Sequence, residues 1–317
     1  MPTTRSGSQT SRNSRTVPEV ASRVAIWVEA TRPKTLWAAV SPVLLGIGIA
    51  VGEEWFHPLA AFLALLGALL IQVATNFHND VADFEKGADR EDRLGPRRLV
   101  AEGLISVPAM RRATFITFGL AVLSGTYLMV RGGLPIVIIG FASILFGLAY
   151  TGGRYSLAYL GIADLFVFTF FGPVAVAGTI YVQALVWPTW VWLAGVAPGL
   201  LCVNILLVNN LRDRVQDAES GKKTLIVRFG RRFGLTLYLI NVLLATAVPV
   251  LLWWQAEAPP TVLVSLPALI LGFKAWSAIL GIPEEEGVRM NPQLAATARV
   301  LLLHSLLLGL GWSLSGL

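Results

Sequence analysis

The chain alternates between long apolar stretches and short polar breaks. A helix that crosses a bilayer needs roughly 20 mostly apolar residues, and each apolar stretch is long enough for one such span. The breaks are rich in Gly, Pro or charged residues, as in Gly52-Glu-Glu54 and Pro283-Glu-Glu-Glu286. Nine spans are predicted, near residues 24–51, 57–79, 109–130, 134–150, 160–182, 188–210, 233–254, 260–281 and 294–315. The pattern therefore predicts an all-α, polytopic membrane protein.

The composition agrees with this prediction. Charged residues make up 14% of the 317 residues and hydrophobic residues 55%, whereas about 25% of an ordinary soluble domain is charged. The net charge of +6 does not indicate nucleic-acid binding, because the basic residues lie between apolar stretches, as topology signals do. A single cysteine, Cys202, excludes an intrachain disulfide.

The first 20 residues differ from the rest of the chain. They are rich in Ser, Thr and Arg, with one acid, Glu19. No apolar core of a secretory signal follows them. We interpret residues 1–20 as a disordered basic cytoplasmic tail, with a short organelle transit peptide as the alternative. Residues 21–317 form one predicted transmembrane domain.

Charge predicts the orientation of the nine spans. If they cross the membrane in turn, all of the 25 Lys and Arg residues except Arg131 lie on the side of the N-terminus. The positive-inside rule makes that side cytoplasmic. We therefore expect an integral protein of a bacterial inner (plasma) membrane, with a cytoplasmic N-terminus.

Two segments, each at the end of an even-numbered span, repeat one acidic pattern. In both, an Asn is followed four residues later by an Asp and then by a second Asp: Asn76, Asp80, Asp83 and Asn209, Asp213, Asp217. Offsets of 0, 4 and 7 or 8 share one face of a helix. Carboxylates crowded on a membrane helix are costly unless a cation holds them. Hard oxygen ligands suit Mg²⁺, which takes substrate phosphates as further ligands. We expect these six residues to hold Mg²⁺ and a diphosphate in one cytoplasmic site, between two related four-span halves.

Basic residues beside the two motifs fit a diphosphate, because Lys and Arg neutralise charge on departing phosphates. Lys223 and Arg93 are the strongest of these candidates. The polar segment from Asp80 to Gly103 is long enough to form a short helix that caps the cavity. Tyr150 is the aromatic candidate for holding an allylic carbocation in a dry pocket.

At these residues the chain resembles the UbiA superfamily of intramembrane aromatic prenyltransferases, and within it the branch that uses 1,4-dihydroxy-2-naphthoate. The resemblance covers nearly the whole chain after the tail. The matching stretches are Arg32-Pro-Lys-Thr-Leu36, Asn79-Asp80-Val-Ala-Asp83-Phe84, Lys86-Gly87-Ala-Asp89, Arg93-Leu-Gly-Pro96, Tyr150-Thr-Gly-Gly153, Phe170-Phe-Gly172, Asn209-Asn-Leu-Arg-Asp213 and Gly221-Lys-Lys-Thr224.

The resemblance implies a nine-helix fold around a central cavity under cytoplasmic cap loops. It implies Mg²⁺ held by the two motifs and transfer of a polyprenyl group from a polyprenyl diphosphate to 1,4-dihydroxy-2-naphthoate. Carbon dioxide and diphosphate would leave, giving a demethylmenaquinol. Catalytic roles are expected of Asp80, Asp83, Asp213, Asp217, Lys223 and Tyr150. Substrate contacts are expected of Asn76, Asn209, Lys34, Lys86, Arg93, Arg154, Asp164, Arg212 and Lys222. Asp164 stands where relatives often carry Glu, and His78 is interpreted as a packing or hydrogen-bonding residue.

Other functions remain open at this point. The acceptor could instead be 4-hydroxybenzoate, homogentisate or a tetrapyrrole. A divalent-cation or lipid transporter is disfavoured, because the outer halves of the spans carry almost no charged residues. A scaffold offers no reason for paired Asp motifs. Chain length of the prenyl group is not encoded in any motif.

Overall fold

The computed structural model describes residues 22–87, 94–153, 156–256 and 258–314. None of these residues lies in a β-strand, and the predicted tail lies outside them. The described α-helices are α1 (Arg23–Ala30), α2 (Pro33–Gly52), α3 (Pro58–Glu85), α4 (Val107–Gly132), α5 (Leu134–Thr151), α6 (Leu157–Leu160), α7 (Ala163–Phe170), α8 (Pro173–Ala184), α9 (Trp190–Ala194), α10 (Val196–Arg212), α11 (Arg214–Glu219), α12 (Leu225–Gln255), α13 (Leu266–Leu280) and α14 (Asn291–Ser313). Two 3₁₀ segments, Pro260–Ser265 and Glu284–Met290, precede the last two helices.

Nine helical segments of the described chain are long and apolar enough to cross a bilayer, so the predicted number of spans is confirmed. They are Pro33–Gly52, Pro58–Glu85, Val107–Gly132, Leu134–Thr151, Ala163–Ala184, Trp190–Arg212, Leu225–Gln255, Pro260–Leu280 and Glu284–Ser313. The chain is an integral membrane protein.

The first predicted span, 24–51, is wrong at its start. The structure has a separate helix α1 and then α2, because Arg32 adopts a left-handed φ of 52° before Pro33. A residue that precedes proline disfavours the α conformation, and proline is well suited to the first turn of a new helix. The break turns the chain at the membrane end where α3 and α10 finish, which we call the acidic end.

The fifth predicted span, 160–182, is two helices, α7 and α8, that meet at Gly172. A Cβ atom at this position would lie 2.6 Å from the Gly195 carbonyl oxygen and from the Gly199 Cα. Only glycine permits so close an approach of α8 to the turn between α9 and α10.

The first and last spans pack side by side. A Cβ atom at Gly48 of α2 would lie 2.7 Å from the Cα of Gly309 on α14. Small residues that bring two backbones this close are the usual interface of membrane helices. Interhelical hydrogen bonds add to the packing, because Asn241 donates to the Asn204 side chain at 2.8 Å and Tyr238 pairs with Thr297 at 3.0 Å. The main buried core thus joins α2, α8, α10, α12, α13 and α14.

The described part of the expected cap, residues 94–106, folds against the acidic end. Leu99, Val100 and Ile105 are buried with Phe77 and Val81 of α3. These residues form turns and not the predicted short helix. Their apolar side chains fix the segment over the end of α3 and bring Arg98 into the bundle.

Candidate active site

A cavity of about 400 Å³ lies among the first six spans. Its walls come from α2, α3, α4, α5, α6, α7, α8 and α10, and most of the lining side chains are apolar. The last three spans contribute no residue to this lining, so the cavity is offset towards the first two thirds of the chain. The polar lining residues near the acidic end include Arg32, Thr35, Asn76, Asn79, Tyr150 and Asn209. One apolar chamber therefore opens at a polar end that carries the Asn of both predicted motifs.

The first motif lies on the last three turns of α3. Its three residues are buried: Asn76 is 3% exposed, Asp80 5% and Asp83 2%. The Asn76 amide donates to the Thr31 carbonyl at 2.9 Å and to the Thr35 hydroxyl at 3.1 Å. This side chain therefore links α3 to the break between α1 and α2.

Arg98 provides a cation for both carboxylates of the first motif. Its guanidinium is 7% exposed; it donates to Asp83 and lies 3.5 Å from Asp80 Oδ1. Arg32 adds a second charge at 3.9 Å from Asp80 Oδ1, and the Val100 backbone N–H donates to Asp80 Oδ2 at 3.3 Å. The chain itself therefore supplies cations to both carboxylates of this motif.

The second motif is not on one unbroken helix, as the spacing suggested. Helix α10 ends at Arg212, Asp213 has φ −96° and ψ 12°, and α11 begins at Arg214. The backbone bonds from Asp213 to Asn209 and from Asp217 to Asp213, at 2.9 and 2.8 Å, continue through the kink. The three side chains therefore stay near one another although the helix bends.

Each carboxylate of the second motif has a basic partner that is close in sequence. Arg212 donates to both oxygens of Asp213 at 2.7 and 2.6 Å, and also to the Asn291 side chain at 2.8 Å. Lys222 lies 3.3 Å from Asp217. Arg212 is thus a partner of the acidic motif, and Asn291 joins the last span to the site.

The two motifs meet across the polar end of the cavity. Burial would lower the pKa of Lys222, but Asp217 and then Asp83 outweigh it and raise that pKa, so one ammonium group interacts with carboxylates of both motifs. Asp83, Asp164 and Asp217 also act electrostatically on the Tyr150 hydroxyl. Asn76 and Asn209, the first residues of the two motifs, line the same cavity.

The other predicted residues fall into three groups. Tyr150 lines the cavity, and Asp164, 9% exposed in the first turn of α7, lies near it.

Lys34 and Lys223 are exposed. The backbone N–H of Lys223 donates a hydrogen bond to the Tyr159 carbonyl. Lys222, and not the favoured Lys223, is therefore the lysine beside Asp217. Arg93 and Arg154 lie outside the described residues.

Lys86 follows the first motif and points back to the chain after α5. Its ammonium group donates to the Thr151 carbonyl and, at 3.0 Å, to the Ser156 hydroxyl. His78, within the first motif, pairs with the Leu148 carbonyl at 3.0 Å. This agrees with its interpretation as a hydrogen-bonding residue.

The carboxylate and amide oxygens of the two motifs suit a hard divalent cation such as Mg²⁺ only when a bound substrate supplies further ligands. Among the residues described, no group of three or more His, Cys, Asp or Glu side chains could hold a metal ion alone. Mg²⁺ in proteins usually takes one or two carboxylates and completes its shell with water and substrate phosphates. The buried Asp83 Oδ1 accepts no hydrogen bond from the described residues, which leaves an oxygen donor for such an ion.

Aromatic rings line the cavity behind the polar end. Phe146 lies 4.5 Å from Phe166 and 5.0 Å from Phe170, measured between ring centroids, and all three line the cavity with Phe171. Rings of this kind exclude water and attract a cation through their faces. Phe146 was not singled out from the sequence, because it lies within a uniformly apolar span.

The chain is similar to proteins of known family. The UbiA prenyltransferase family matches residues 39–291. The "1,4-dihydroxy-2-naphthoate octaprenyltransferase" of Escherichia coli (strain K12) is 36% identical over 304 residues, which cover 93% of this chain and 97% of that protein. The protein of the same name from Mycobacterium tuberculosis (strain ATCC 25618 / H37Rv) is 39% identical over 255 residues, covering 79% and 85%.

Solved structures share the fold at low sequence identity. A UbiA homolog from Archaeoglobus fulgidus bound to GPP and Mg²⁺ superposes with a TM-score of 0.63 at 17% identity, covering 89% of this chain and 99% of that chain. Another structure of a UbiA homolog from the same organism gives a TM-score of 0.67 at 15% identity, covering 92% and 100%. This likeness concerns the arrangement of the helices.

Proposed function

The chain belongs to the UbiA prenyltransferase family, and on that premise we propose that it transfers a polyprenyl group from an allylic polyprenyl diphosphate to 1,4-dihydroxy-2-naphthoate. Carbon dioxide and diphosphate leave, and the product is a demethylmenaquinol. The choice of acceptor is supported by relatives that match nearly the full length and carry this acceptor in their names. The observation that carries the proposal is the meeting of both acidic motifs at the polar end of one apolar cavity.

The polarity of the cavity matches that of the polyprenyl diphosphate, which is apolar along its chain and charged at one end. Its isoprenoid chain lies against the apolar walls, and its diphosphate lies at the end formed by Asn76 and Asn209. Asp80, Asp83, Asp213 and Asp217, with these two amides, would hold Mg²⁺. The ion would supply positive charge that neutralises the diphosphate and favours its departure.

The ion pairs of the site have a second role in this proposal. The guanidinium groups of Arg98 and Arg32, which contact Asp80, would also donate to phosphate oxygens of a bound diphosphate. Arg212, Lys86 and Lys222 add further positive charge around the same end. Guanidinium and ammonium donors form strong, charge-assisted hydrogen bonds with phosphates.

Chemistry at the allylic carbon requires a dry pocket. Cleavage of the donor leaves positive charge on that carbon, which water would capture. The rings of Phe146, Phe166 and Phe170 and the ring of Tyr150 line the cavity; they exclude water and face the cation. The acceptor ring carbon then supplies the electron pair of the new carbon–carbon bond.

Asp164 and Tyr150 are the proposed contacts of the acceptor. Asp164 Oδ1 is buried and accepts no hydrogen bond from the described residues. A buried oxygen without a donor is costly, and a naphthol hydroxyl of the acceptor would satisfy it. The Tyr150 hydroxyl, which interacts electrostatically with Asp164, orients the same ring.

The basic residues support a cytoplasmic active site in a bacterial inner membrane. The acidic end carries Arg32, Lys86, Arg98, Arg212 and Lys222, whereas Arg131 lies at the other end, where it donates to the Val182 and Gln183 carbonyls. An excess of Lys and Arg marks the cytoplasmic side.

The test uses purified full-length protein in lipid nanodiscs, supplied with Mg²⁺ and a polyprenyl diphosphate. Separate reactions contain 1,4-dihydroxy-2-naphthoate, 4-hydroxybenzoate or homogentisate, and mass spectrometry identifies the prenylated product. We expect turnover with the naphthoate, loss of CO₂, and no turnover after chelation of Mg²⁺. Turnover with another acceptor and none with the naphthoate would overturn the assignment of the acceptor.

Asp80→Ala and Asp213→Ala test the two motifs separately. We expect each variant to remain in the membrane and to lose turnover, because each removes a carboxylate on one side of the diphosphate. Circular dichroism checks that the helices persist. Normal product formation by either variant would contradict the role of its motif.

A further inference from the structure

One aromatic ring, that of Tyr159, contacts the lysines that follow both acidic motifs. The Lys86 ammonium lies 4.4 Å from the centroid of the ring, and the Lys222 ammonium lies 5.6 Å from it. Both distances are within the roughly 6 Å range of cation–π attraction. Tyr159 lies on the short helix α6, which belongs to neither motif.

The backbone around Tyr159 is fixed to the chain that follows the second motif. The Lys223 N–H donates to the Tyr159 carbonyl at 3.1 Å, and Arg228 donates to the Leu160 carbonyl at 2.7 Å. Gly161 has φ 73°, and a Cβ atom there would lie 1.9 Å from the Lys223 carbonyl oxygen. Only glycine fits this contact, so the position of the ring is built into the chain.

Lys86 connects the same segment to the first motif. Besides the ring, its ammonium contacts the Thr151 carbonyl and the Ser156 hydroxyl. Lys222 keeps Asp217 at 3.3 Å. Thr151 and residues 156–161 are therefore attached to the chain beside both motifs, and Tyr159 lies between these attachments.

The two ammonium groups are close enough to repel each other. Burial lowers the pKa of Lys86, Asp83 opposes this, and Lys222 lowers it further. Two like charges at short range are unfavourable, and the negative face of an aromatic ring offsets part of that repulsion. An anion that accepts hydrogen bonds from both groups would offset more of it.

We propose that Tyr159 is a positioning residue that holds Lys86 and Lys222 ready to receive the diphosphate of the donor. This inference rests on the proposed function. The ring keeps both ammonium groups beside Asp83 and Asp217 before the donor binds. The lysines then donate to the phosphate oxygens, and no covalent step involves the tyrosine. The face of the aromatic ring carries this role.

The first test compares Tyr159→Phe with Tyr159→Leu in the full-length protein. Calorimetry measures the affinity for inorganic pyrophosphate in the presence of Mg²⁺, and kinetics give KM for geranyl diphosphate and for the acceptor. Loss of cation–π contacts in Tyr159→Leu should weaken pyrophosphate binding and raise the donor KM about tenfold. Tyr159→Phe should stay within about twofold of the wild type, and the acceptor KM should not change.

Tyr127→Leu is the matched control, because Tyr127 is half-buried on α4 and its hydroxyl lies 3.4 Å from His57. It should lower the melting temperature without changing pyrophosphate affinity. Unchanged pyrophosphate affinity in Tyr159→Leu, or equal losses in Tyr159→Phe and Tyr159→Leu, would overturn the inference.

A double-mutant cycle provides the second test, and it holds even if Tyr159→Leu is less stable. Lys86→Met and Lys222→Met are each measured in the wild type and in Tyr159→Leu. If two residues act together, the double variant loses less pyrophosphate affinity than the product of the fold losses in the two single variants. A fold loss in the double variant equal to the product of the two single losses would overturn the inference. Because pyrophosphate binding requires no acceptor, these results stand apart from any failure of the naphthoate reaction.

Discussion

The two acidic motifs have similar sequences but are held in different ways. Asp80 and Asp83 share Arg98, which reaches them from a separate segment and is 7% exposed. Asp213 and Asp217 each pair with their own neighbour, Arg212 or Lys222. The first motif is therefore organised by tertiary structure, and the second by contacts local in sequence.

The difference has an energetic consequence. Removing one partner of a buried ion pair is strongly destabilising, whereas a partly exposed pair contributes little. The ion pairs of the first motif therefore contribute more to the stability of the acidic end. The second motif, which bends at Asp213, can change conformation at a smaller cost in free energy. We infer that the second motif is the one that adapts when the donor enters.

The largest expected effect comes from removing one acid of each motif. Asp83→Ala should lower the free energy of unfolding by about 3–5 kcal/mol, because Arg98 remains buried beside one carboxylate fewer. Asp217→Ala should cost about 1 kcal/mol, because Lys222 is partly exposed and keeps the Tyr159 ring. Thermal unfolding in detergent measures both. Equal losses would show that the two motifs are held alike.

The next effect concerns magnesium. Arg98→Ala leaves the buried carboxylates of Asp80 and Asp83 without their shared guanidinium, so Mg²⁺ should stabilise this variant more than the wild type. An ion that binds only the folded state adds about 2.7 kcal/mol at 100 times its Kd. Melting temperatures across a Mg²⁺ titration measure this difference.

Arg131→Ala is the control for that titration. This arginine donates to the Val182 and Gln183 carbonyls at the other end of the bundle. Its loss should lower stability but add no response to Mg²⁺, and turnover should change little. A Mg²⁺ response of Arg98→Ala no larger than that of Arg131→Ala would contradict the counter-ion role of Arg98.

The nine spans could be predicted from the sequence because they depend on a local pattern, and the acidic motifs were recognised in the same way. Apolar length identifies a span, and the repeated Asn and Asp spacing identifies each motif. Arg98 was missed because many basic residues surround the motifs and no local pattern distinguishes it. Its partner Asp83 is 15 positions away, and only the packing of Leu99 and Val100 brings it inside.

The choice between Lys222 and Lys223 also needed the fold. Gly221, with φ 77°, turns the chain after α11, and Lys222 then faces Asp217 while the Lys223 N–H pairs with Tyr159. Adjacent lysines are equivalent in a sequence pattern, and only the fold shows that Lys222 lies beside Asp217. The broken fifth span was likewise decided by close packing at Gly172.

The smallest expected effect compares the lysines that follow the motifs. Burial lowers the pKa of Lys86, whereas Asp217 and Asp83 outweigh burial and raise the pKa of Lys222. The neutral, reactive amine of Lys86 should therefore form at lower pH than that of Lys222. Competitive acetylation read by mass spectrometry gives the pH midpoint of each residue, which separates protonation from exposure. A lower midpoint for Lys222 would reverse the assignment.

The most direct test of the central claim is a crystal structure of the full chain with Mn²⁺ and geranyl diphosphate, recorded at the manganese absorption edge. We predict anomalous peaks at the diphosphate, in contact with at least one carboxylate from each motif. Peaks bound only by Asp80 and Asp83, or only by Asp213 and Asp217, would contradict joint action of the two motifs on one diphosphate.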